Sequence, residues 1–383
     1  MTSSLGPNRH LIGRDADTLA RELATPALMV DLDLFEANVA TMASLAKEAG
    51  RKVRPHAKAH KSAIVGKRQL DAGAVGLCCA TVREAEVLAD AGLPGLLVTT
   101  PVVTPSMAAR LVHAGEKAEG LIVLADTMAG VDLFATLARP GRPIGVLVGV
   151  DMGMSRDGVA TPAEAVALAT RIAAYPQLRY DGVQAYYGHL QHVKTVPDRH
   201  AKIAEQWERL DKVLAALKAA GYAPGIISGG GTGTHQLDMA HGPFTEIQPG
   251  SYIFLDKQYG EVEIVPGGSP FQTSLTVAAR VVSDVHADRV IIDAGSKAVS
   301  TDYGPALVAK GARKAPRISS WATNMARSAS PRAQRDHRSA ASSNSSPRIA
   351  TPPPISMTSS MSCRAGALSI SGPSRPAATE DQP

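Results

Sequence analysis

The first 260 positions alternate between two hydrophobic rhythms. Short apolar, β-branched runs recur at 52–58, 74–81, 95–100, 120–126, 144–151, 182–188, 224–230 and 245–251. Between them lie stretches in which apolar positions return every three to four residues, the helical period. An opening strand at 27–32 and a helix at 34–49 precede the eight. The segment 161–174 shows how such a helix starts: Thr161 offers an N-cap oxygen and Glu164, three residues on, completes a capping box. Eight strands alternating with helices predict an α/β protein built on a parallel (β/α)8 barrel of TIM type over 24–260. An open, doubly wound sheet is the alternative. After Tyr259 the runs at 274–283 and 289–293 lose their helical partners. That predicts a smaller β-rich domain over 261–312, with residues 1–23 joining it.

The pattern ends at Arg313. From there to Pro383 the chain holds 16 Ser and 9 Pro, a single Leu, and no Val, Phe or Tyr. Over the whole segment no period of 2 or 3.6 survives, so 313–383 is expected to form a disordered tail. The break also relocates the charge. The whole chain is +5, but the tail has nine Arg and one Lys against two Asp and one Glu, a net of +7, which leaves −2 for the first 312 residues. A basic tail without repeated Arg-Ser or Arg-Gly units is weak support for nucleic-acid binding. Three cysteines, two of them adjacent, make no disulfide framework. With no apolar leader visible before Asp15 and no bilayer-length apolar run, a cytoplasmic protein without a membrane partner is expected.

Candidate chemistry clusters at the ends of the predicted strands, where barrels place active sites. Gly229 to Thr234 is bare backbone flanked by hydroxyls, and Gly250-Ser251-Tyr252 follows one strand later. Loops after the seventh and eighth strands of a barrel often hold phosphate. The spacing does not match a dinucleotide fingerprint, and the Walker lysine is absent. Lys58 closes the first strand, beside His56 and His60. A lysine in a barrel mouth has a lowered pKa and can form a Schiff base. Lysine, phosphate cradle and polar ring together are what pyridoxal 5′-phosphate requires. Arg156 is a candidate donor to its phenolic oxygen and Tyr186 a candidate to face its ring. Bland alternatives stand beside each: a flexible glycine turn, a solvated lysine, a surface arginine and a core tyrosine.

Several separated segments resemble one family. They are Thr25-Pro26, Pro55-His56-Ala57-Lys58-Ala59-His60-Lys61, Gly76-Leu77-Cys78-Cys79, and the segments 153–158, 184–192, 228–233 and 248–252. In this order they resemble the D-threonine aldolase and D-serine dehydratase group. These are alanine-racemase-like, fold type III pyridoxal-phosphate enzymes, made of a barrel and a β-domain. The resemblance covers roughly residues 24 to 312. It implies Lys58 as the lysine that bonds the cofactor, with Lys61 as its rival, and Arg156 and Tyr186 as ring contacts. It places Gly231, Thr232, Gly250 and Ser251 around the phosphate and His192, otherwise a structural histidine, as an acid/base near the substrate. Asp293-Ala294-Gly295-Ser296-Lys297 also resembles a family segment, read as structural or as a contact to a second subunit.

The implied activity is cleavage of a D-3-hydroxy amino acid to glycine and an aldehyde by a homodimer. A D-serine-dehydratase-like elimination and racemisation are the alternatives within the family, and a non-catalytic pyridoxal-phosphate carrier is the rival outside it. The family also uses a divalent metal (Mn2+, Mg2+ or Zn2+) held by a His-Cys-Asp triplet near the C-terminus. This chain has no such triplet; Asp336-His337 is the nearest substitute.

A shifted reading frame accounts for both the missing triplet and the change of composition. Trp321-Ala322 and Met325-Ala326 each force a glycine codon when the frame moves by one base, because Trp and Met codons end in G and Ala codons begin GC. In that frame 317–326 can read Tyr-Gln-Phe-Met-Gly-Asp-Glu-His-Gly, and 348–351 can read His-Cys-Asp or His-Arg-Asp. The chain as translated would keep the cofactor site and lose the metal ligands, with weak aldolase activity and lower stability. Sequencing the coding DNA is the test. A one-base insertion or deletion near 312–313 that restores these segments is expected; an intact frame with no such restoration rejects the idea.

Overall fold

The computed structural model describes residues 8–11, 14–139, 141–285, 289–300, 304–310, 318–321, 326–329 and 355–358. Its contacts divide the chain into two units, 33–272 and a discontinuous one of 1–32 with 273–362. The strands in chain order begin with β1, Ala27–Val30, in the second unit. The first unit carries β2 (Lys52–Val53), β3 (Leu77–Cys79), β4 (Leu96–Val98), β5 (Ile122–Ala125), β6 (Ile144–Val150), β7 (Leu178–Ala185), β8 (Ile226–Gly229) and β9 (Glu246–Ile247).

These eight strands fall on the eight apolar runs of the sequence, seven of them within the run and β7 beginning four residues before it, and they form one parallel sheet in the order β2-β9-β8-β7-β6-β5-β4-β3. The sheet closes on itself. Val75 N–H bonds Val53 O at 2.9 Å, Cys78 N–H bonds Pro55 O at 2.8 Å, and His56 bridges Cys78 in parallel register. The barrel, not the open sheet, is the architecture. Helices cover its outside, so strands are buried on both faces, as all seven residues of β6 show. The predicted capping box is present: Thr161 Oγ1 accepts from Glu164 N–H, and Glu164 accepts from Thr161 N–H.

Inside the barrel sits a charged group. Arg54, directly after β2, is 5% exposed and forks onto Glu246 of β9 at 2.8 and 2.9 Å. Its Nη1 also donates to Gly95 O. Desolvation by burial disfavours the guanidinium charge, but Glu246 more than offsets it and the pKa ends above the ordinary arginine value. The guanidinium dictates its neighbours. Gly76, at φ +153°, has no room for a Cβ, which would collide with Gly95 O and with Arg54 Nη1. Glu246 Oε1 also accepts from Ser228 Oγ at 2.7 Å, and Ser228 Oγ accepts from Gln248 Nε2 at 2.8 Å. A single polar chain therefore runs from the barrel interior to the loop after β9.

The second unit is antiparallel. Its remaining strands are β10 (Leu275–Ala279), β11 (Val281–Ser283), β12 (Arg289–Ile292), β13 (Leu307–Lys310), β14 (Ile318–Trp321), β15 (Ala326–Ala329) and β16 (Ile355–Thr358). They form two four-stranded sheets, β1-β10-β16-β13 and β11-β12-β15-β14. The opening strand thus pairs with β10, from Ala27↔Ala278 to Val30↔Leu275. Val277, Ala279, Ile292, Ala294, Val299 and Ala306 form the core here. Asp293 is structural: its carboxylate accepts from Arg280 N–H at 2.8 Å and from Thr25 Oγ1 at 2.5 Å. Three short strands come from 313–383, a segment with no regular period overall. Ile355-Ser356-Met357-Thr358 alternates apolar and polar locally, which an average over 71 residues hides. The rest of that segment, Asp336-His337 included, lies outside the described residues. Among the described residues, no helix is long and apolar enough to cross a membrane.

Glu246→Gln is expected to lower stability by about 3–5 kcal/mol, because it strands a buried guanidinium. Asp90→Asn, which breaks the exposed Lys117–Asp90 pair, is expected to change it by less than about 1 kcal/mol. Urea unfolding of both variants decides; equal effects would refute the assignment of Arg54–Glu246 as the buried linchpin.

Candidate active site

A cleft of about 380 Å3 opens at the C-terminal ends of the strands. Ala80 enters it after β3, Thr99 to Pro101 after β4, Arg156 and Asp157 after β6, Gln184 and Tyr186 from the end of β7, and Gln248 after β9. His56 and Lys58 complete the wall. A second cavity of similar volume is lined by Met42, Arg51, Gln69 and Tyr252, among others, and by no His, Asp, Glu or Cys.

Lys58 is not at a strand end, as the sequence predicted. β2 stops at Val53 and Lys58 sits in a short 3-10 turn, Ala57–Ala59, which His56 caps. His56 Nδ1 accepts from Lys58 N–H at 3.4 Å, and His56 Nε2 stands 3.2 Å from Thr99 Oγ1. Thr99 Oγ1 donates to Cys79 O, so its own lone pairs face Nε2. The network therefore assigns the proton of a neutral His56 to Nε2. Burial, then the charge of Lys58, holds His56 well below the usual histidine range. With both nitrogens committed, His56 positions the lysine turn and is not a proton acceptor.

The Lys58 side chain is reached by solvent through the cleft, yet the packed walls strip part of its hydration. Burial lowers its pKa first and the nearby Arg156 charge adds to that. Its Nζ lies 5.4 Å from the centre of the Tyr186 ring. Lys61 is placed differently. At φ +52° it turns away, and its Nζ pairs with the buried Glu84 at 3.3 Å. That pair gives Lys61 a structural occupation. Arg156 is held in the loop after β6, where Asp151 Oδ1 accepts the N–H groups of Gly153, Met154 and Ser155 and Val159 returns to bridge Val150. Arg156 Nε donates to Asp157 Oδ1 at 3.0 Å. Burial raises the Tyr186 hydroxyl above its ordinary value, so the ring stays a neutral phenol.

The two glycine loops lie side by side: Tyr252 N–H donates to Thr232 Oγ1 at 3.1 Å. Their glycines are needed for packing as well as for bare backbone. A Cβ on Gly231 or Gly233 would strike Gln191, and one on Gly230, at φ +62°, would strike the Asp238 carboxylate. Gly231 N–H bonds Thr234 Oγ1 at 3.1 Å and Gly233 N–H bonds Gln191 Oε1 at 3.0 Å. No hydrogen bond among the described residues takes up the N–H of Thr232, Gly250 or Ser251. Backbone donors seek acceptors, so three such N–H groups in two adjacent loops, at buried Thr232 and at half-buried Gly250 and Ser251, suit an anion such as phosphate.

His192 is not in the cleft wall. Its ring lies 4.4 Å from that of Tyr259, its buried Nε2 has no hydrogen-bond partner, and burial lowers its pKa. Pattern reading missed Gln184 and Gln248. Both are under 7% exposed, and Gln184 Oε1 is buried without a partner. Polar residues breaking apolar strands, at 184 in β7 and at 248 just after β9, were the available signal. No three His, Cys, Asp or Glu side chains among the described residues converge to hold a metal.

Burial also pushes His60 and His235 down to about 4, and Asp238 up to about 7. A histidine with a lowered folded pKa stabilises above about 6.5 and loses that contribution as pH falls toward 4, at most about 1.4 kcal/mol per pH unit each. Asp238 acts oppositely across 4 to 7 and offsets about one of the two. Stability is therefore expected to fall on acidification from 6.5 to 4.5, and His235→Asn to flatten that slope. An unchanged slope in urea titrations would reject the assignment.

Comparison with known proteins follows the same division. The model of the alanine racemase N-terminal domain matches residues 30–258, and that of a putative serine dehydratase domain matches 274–357. A D-threonine aldolase of Arthrobacter sp is 39% identical over 290 residues, 76% of this chain and 76% of that protein. A 3-hydroxy-D-aspartate aldolase of Paracoccus denitrificans (strain Pd 1222) is 36% identical over 289 residues, 74% of this chain and 75% of that protein. The crystal structure of D-threonine aldolase from Filomicrobium marinum superposes with a TM-score of 0.78 at 30% identity, covering 88% of this chain and 87% of the other. Matched over more than half its length by the racemase barrel model and at 36–39% identity by full-length relatives, the protein belongs to the D-threonine aldolase and D-serine dehydratase family of alanine-racemase-like proteins.

Proposed function

We propose that the protein is a pyridoxal-phosphate-dependent lyase that cleaves D-3-hydroxy amino acids to glycine and an aldehyde. One observation carries this: Lys58, its ammonium destabilised, stands in the same barrel mouth as three N–H groups with no acceptor among the described residues. The residues present fit the cofactor. Thr232, Gly231, Gly250 and Ser251 would hold its phosphate. Lys58 would bond its aldehyde carbon, Arg156 would face the phenolic oxygen and Tyr186 the ring. When bound, the cofactor supplies an electron sink for the charge left at Cα as the Cα–Cβ bond breaks.

The chain's own groups do the rest. Arg156 is cationic and exposed to the cleft, which suits an anionic oxygen. Gln184 Oε1 can accept one hydrogen bond in a wall that offers it none. Gln248 is held rigid through Ser228 and Glu246. Burial lowers the His192 pKa and its Nε2 has no partner among the described residues; it stands outside the cleft wall, so its assignment to the proton of the β-hydroxyl rests on the family resemblance. The divalent metal implied by the resemblance has no ligand set among the described residues, and no step is routed through it.

The activity of the 3-hydroxy-D-aspartate aldolase and D-threonine aldolase relatives supports carbon–carbon cleavage. A D-threo-3-hydroxyaspartate dehydratase of Delftia sp. (strain HT23), at 30% identity over 76% of both chains, supports elimination as the second reading. Composition argues for a shifted frame after 312, whereas the serine dehydratase model matches as far as 357, so the coding DNA is the arbiter.

Incubation with D-threonine and with D-serine separates the chemistries: glycine with acetaldehyde is expected, and pyruvate with ammonia would replace the aldolase by the dehydratase. Lys58→Ala is expected to lower turnover at least about 1000-fold and leave the cofactor removable by dialysis, with Lys61→Ala retaining it. The opposite result moves the lysine assignment to Lys61. His192→Ala is expected to lower kcat about 100-fold.

A further inference from the structure

Beneath the glycine loop lies a buried chain of side chains, none of which lines the cleft. Tyr187, Thr234 and Gln191 are each at most 1% exposed, Asp238 is fully buried and Trp207 is 8% exposed. They come from four places in the sequence: the end of β7, the turn that follows it, the helix Val196–Ala219, and the loop and helix after β8. We propose that Asp238 is a positioning residue that sets the phosphate affinity of the glycine loop through Thr234. The proposal rests on the cofactor reading above.

The directions of the hydrogen bonds carry it. Trp207 Nε1 donates to Tyr187 Oη at 3.2 Å, so the Tyr187 hydroxyl donates onward to Asp238 Oδ1. On the other side, Thr234 Oγ1 accepts from Gly231 N–H at 3.1 Å and from Gln191 Nε2 at 3.0 Å. Its own proton then goes to Asp238 Oδ2 at 2.6 Å. Both carboxylate oxygens are acceptors, and both hydroxyls are already oriented by N–H groups that cannot reverse. The chain is one-way, and its terminus has to accept at both ends. Asp238 also fills the space against Gly230 that a Cβ would need.

Two consequences follow for the loop. Fixing the Thr234 hydroxyl fixes Gly231 N–H, and Gln191 fixes Gly233 N–H. The residue between these two anchors is Thr232, whose N–H has no protein acceptor. Asp238 thus aims a donor that it does not touch. Asparagine has the same shape but replaces one acceptor by an NH2 group, which would face either the Thr234 or the Tyr187 hydroxyl donor to donor.

The test compares pyridoxal 5′-phosphate with pyridoxal, which lacks only the phosphate, by equilibrium binding to the whole protein. Asp238→Asn is expected to weaken the phosphorylated ligand about tenfold, the effect of one lost hydrogen bond to a charged group, and pyridoxal less than about twofold. Thr234→Val is expected to behave alike, and Thr234→Ser, which keeps the hydroxyl, to bind like wild type. That pair decides if Asp238→Asn does not fold. An equal loss for both ligands would make Asp238 a general structural residue and overturn the proposal, as would a Thr234→Val protein that binds like wild type. Wild-type protein that does not prefer the phosphorylated ligand overturns the cofactor reading itself, and the positioning role with it.

Discussion

A guanidinium enclosed by a barrel has to be neutralised from within, and much of this protein's interior follows from that requirement. Arg54 lies inside the ring of strands, where an unpaired charge would be severely destabilising. Its fork onto Glu246 ties the first barrel strand to the last, its hydrogen-bonded neighbour in the parallel sheet. The same guanidinium excludes a side chain at Gly76 and takes up Gly95 O. Glu246 then orders Ser228, and Ser228 orders Gln248 at the edge of the cleft. The closure of the barrel and the placement of a cleft residue are two ends of one hydrogen-bonded chain.

Electrostatics at the mouth separates two lysines that look alike in sequence. Lys61 is matched to a buried carboxylate, which occupies its ammonium in an ion pair. Lys58 faces Arg156 and loses hydration, and both effects favour the neutral amine, the nucleophilic form. Three residues of separation and a left-handed turn at Lys61 suffice to send one into an ion pair with Glu84 and the other to the cleft. The glycine loop shows a similar division: two of its N–H groups hold the loop together, and the one between them is left for an anion.

Much of the fold was legible because burial imposes its period directly on the chain. Each of the eight barrel strands overlaps an apolar run, and β6 is apolar or glycine throughout because one face meets the outer helices and the other the barrel interior. Strand ends were not legible: the run at 52–58 holds a strand of two residues followed by a 3-10 turn, since hydrogen bonding to neighbouring strands, and not hydrophobicity, decides where pairing stops. Lys58, Arg156 and Tyr186 were legible from their place after strands, and the structure brings them to one cleft. His192, from the same stretch of sequence as Tyr186, stands instead against Tyr259, because the turn Gly188–Leu190 redirects the chain.

By itself, then, the sequence determined the alternation of elements, the barrel class, the two glycine loops and the lysine among histidines. Each is written locally, in spacing or in a run of neighbours. Tertiary structure alone decided that Lys61 pairs with Glu84, that the opening strand joins the antiparallel sheet, and that Asp238, Tyr187 and Gln191 brace the glycine loop. The last two outcomes depend on hydrogen bonds between residues about 40 to 250 positions apart. The direction and satisfaction of a buried hydrogen bond are set only when both partners are in place, and no pattern along the chain records them.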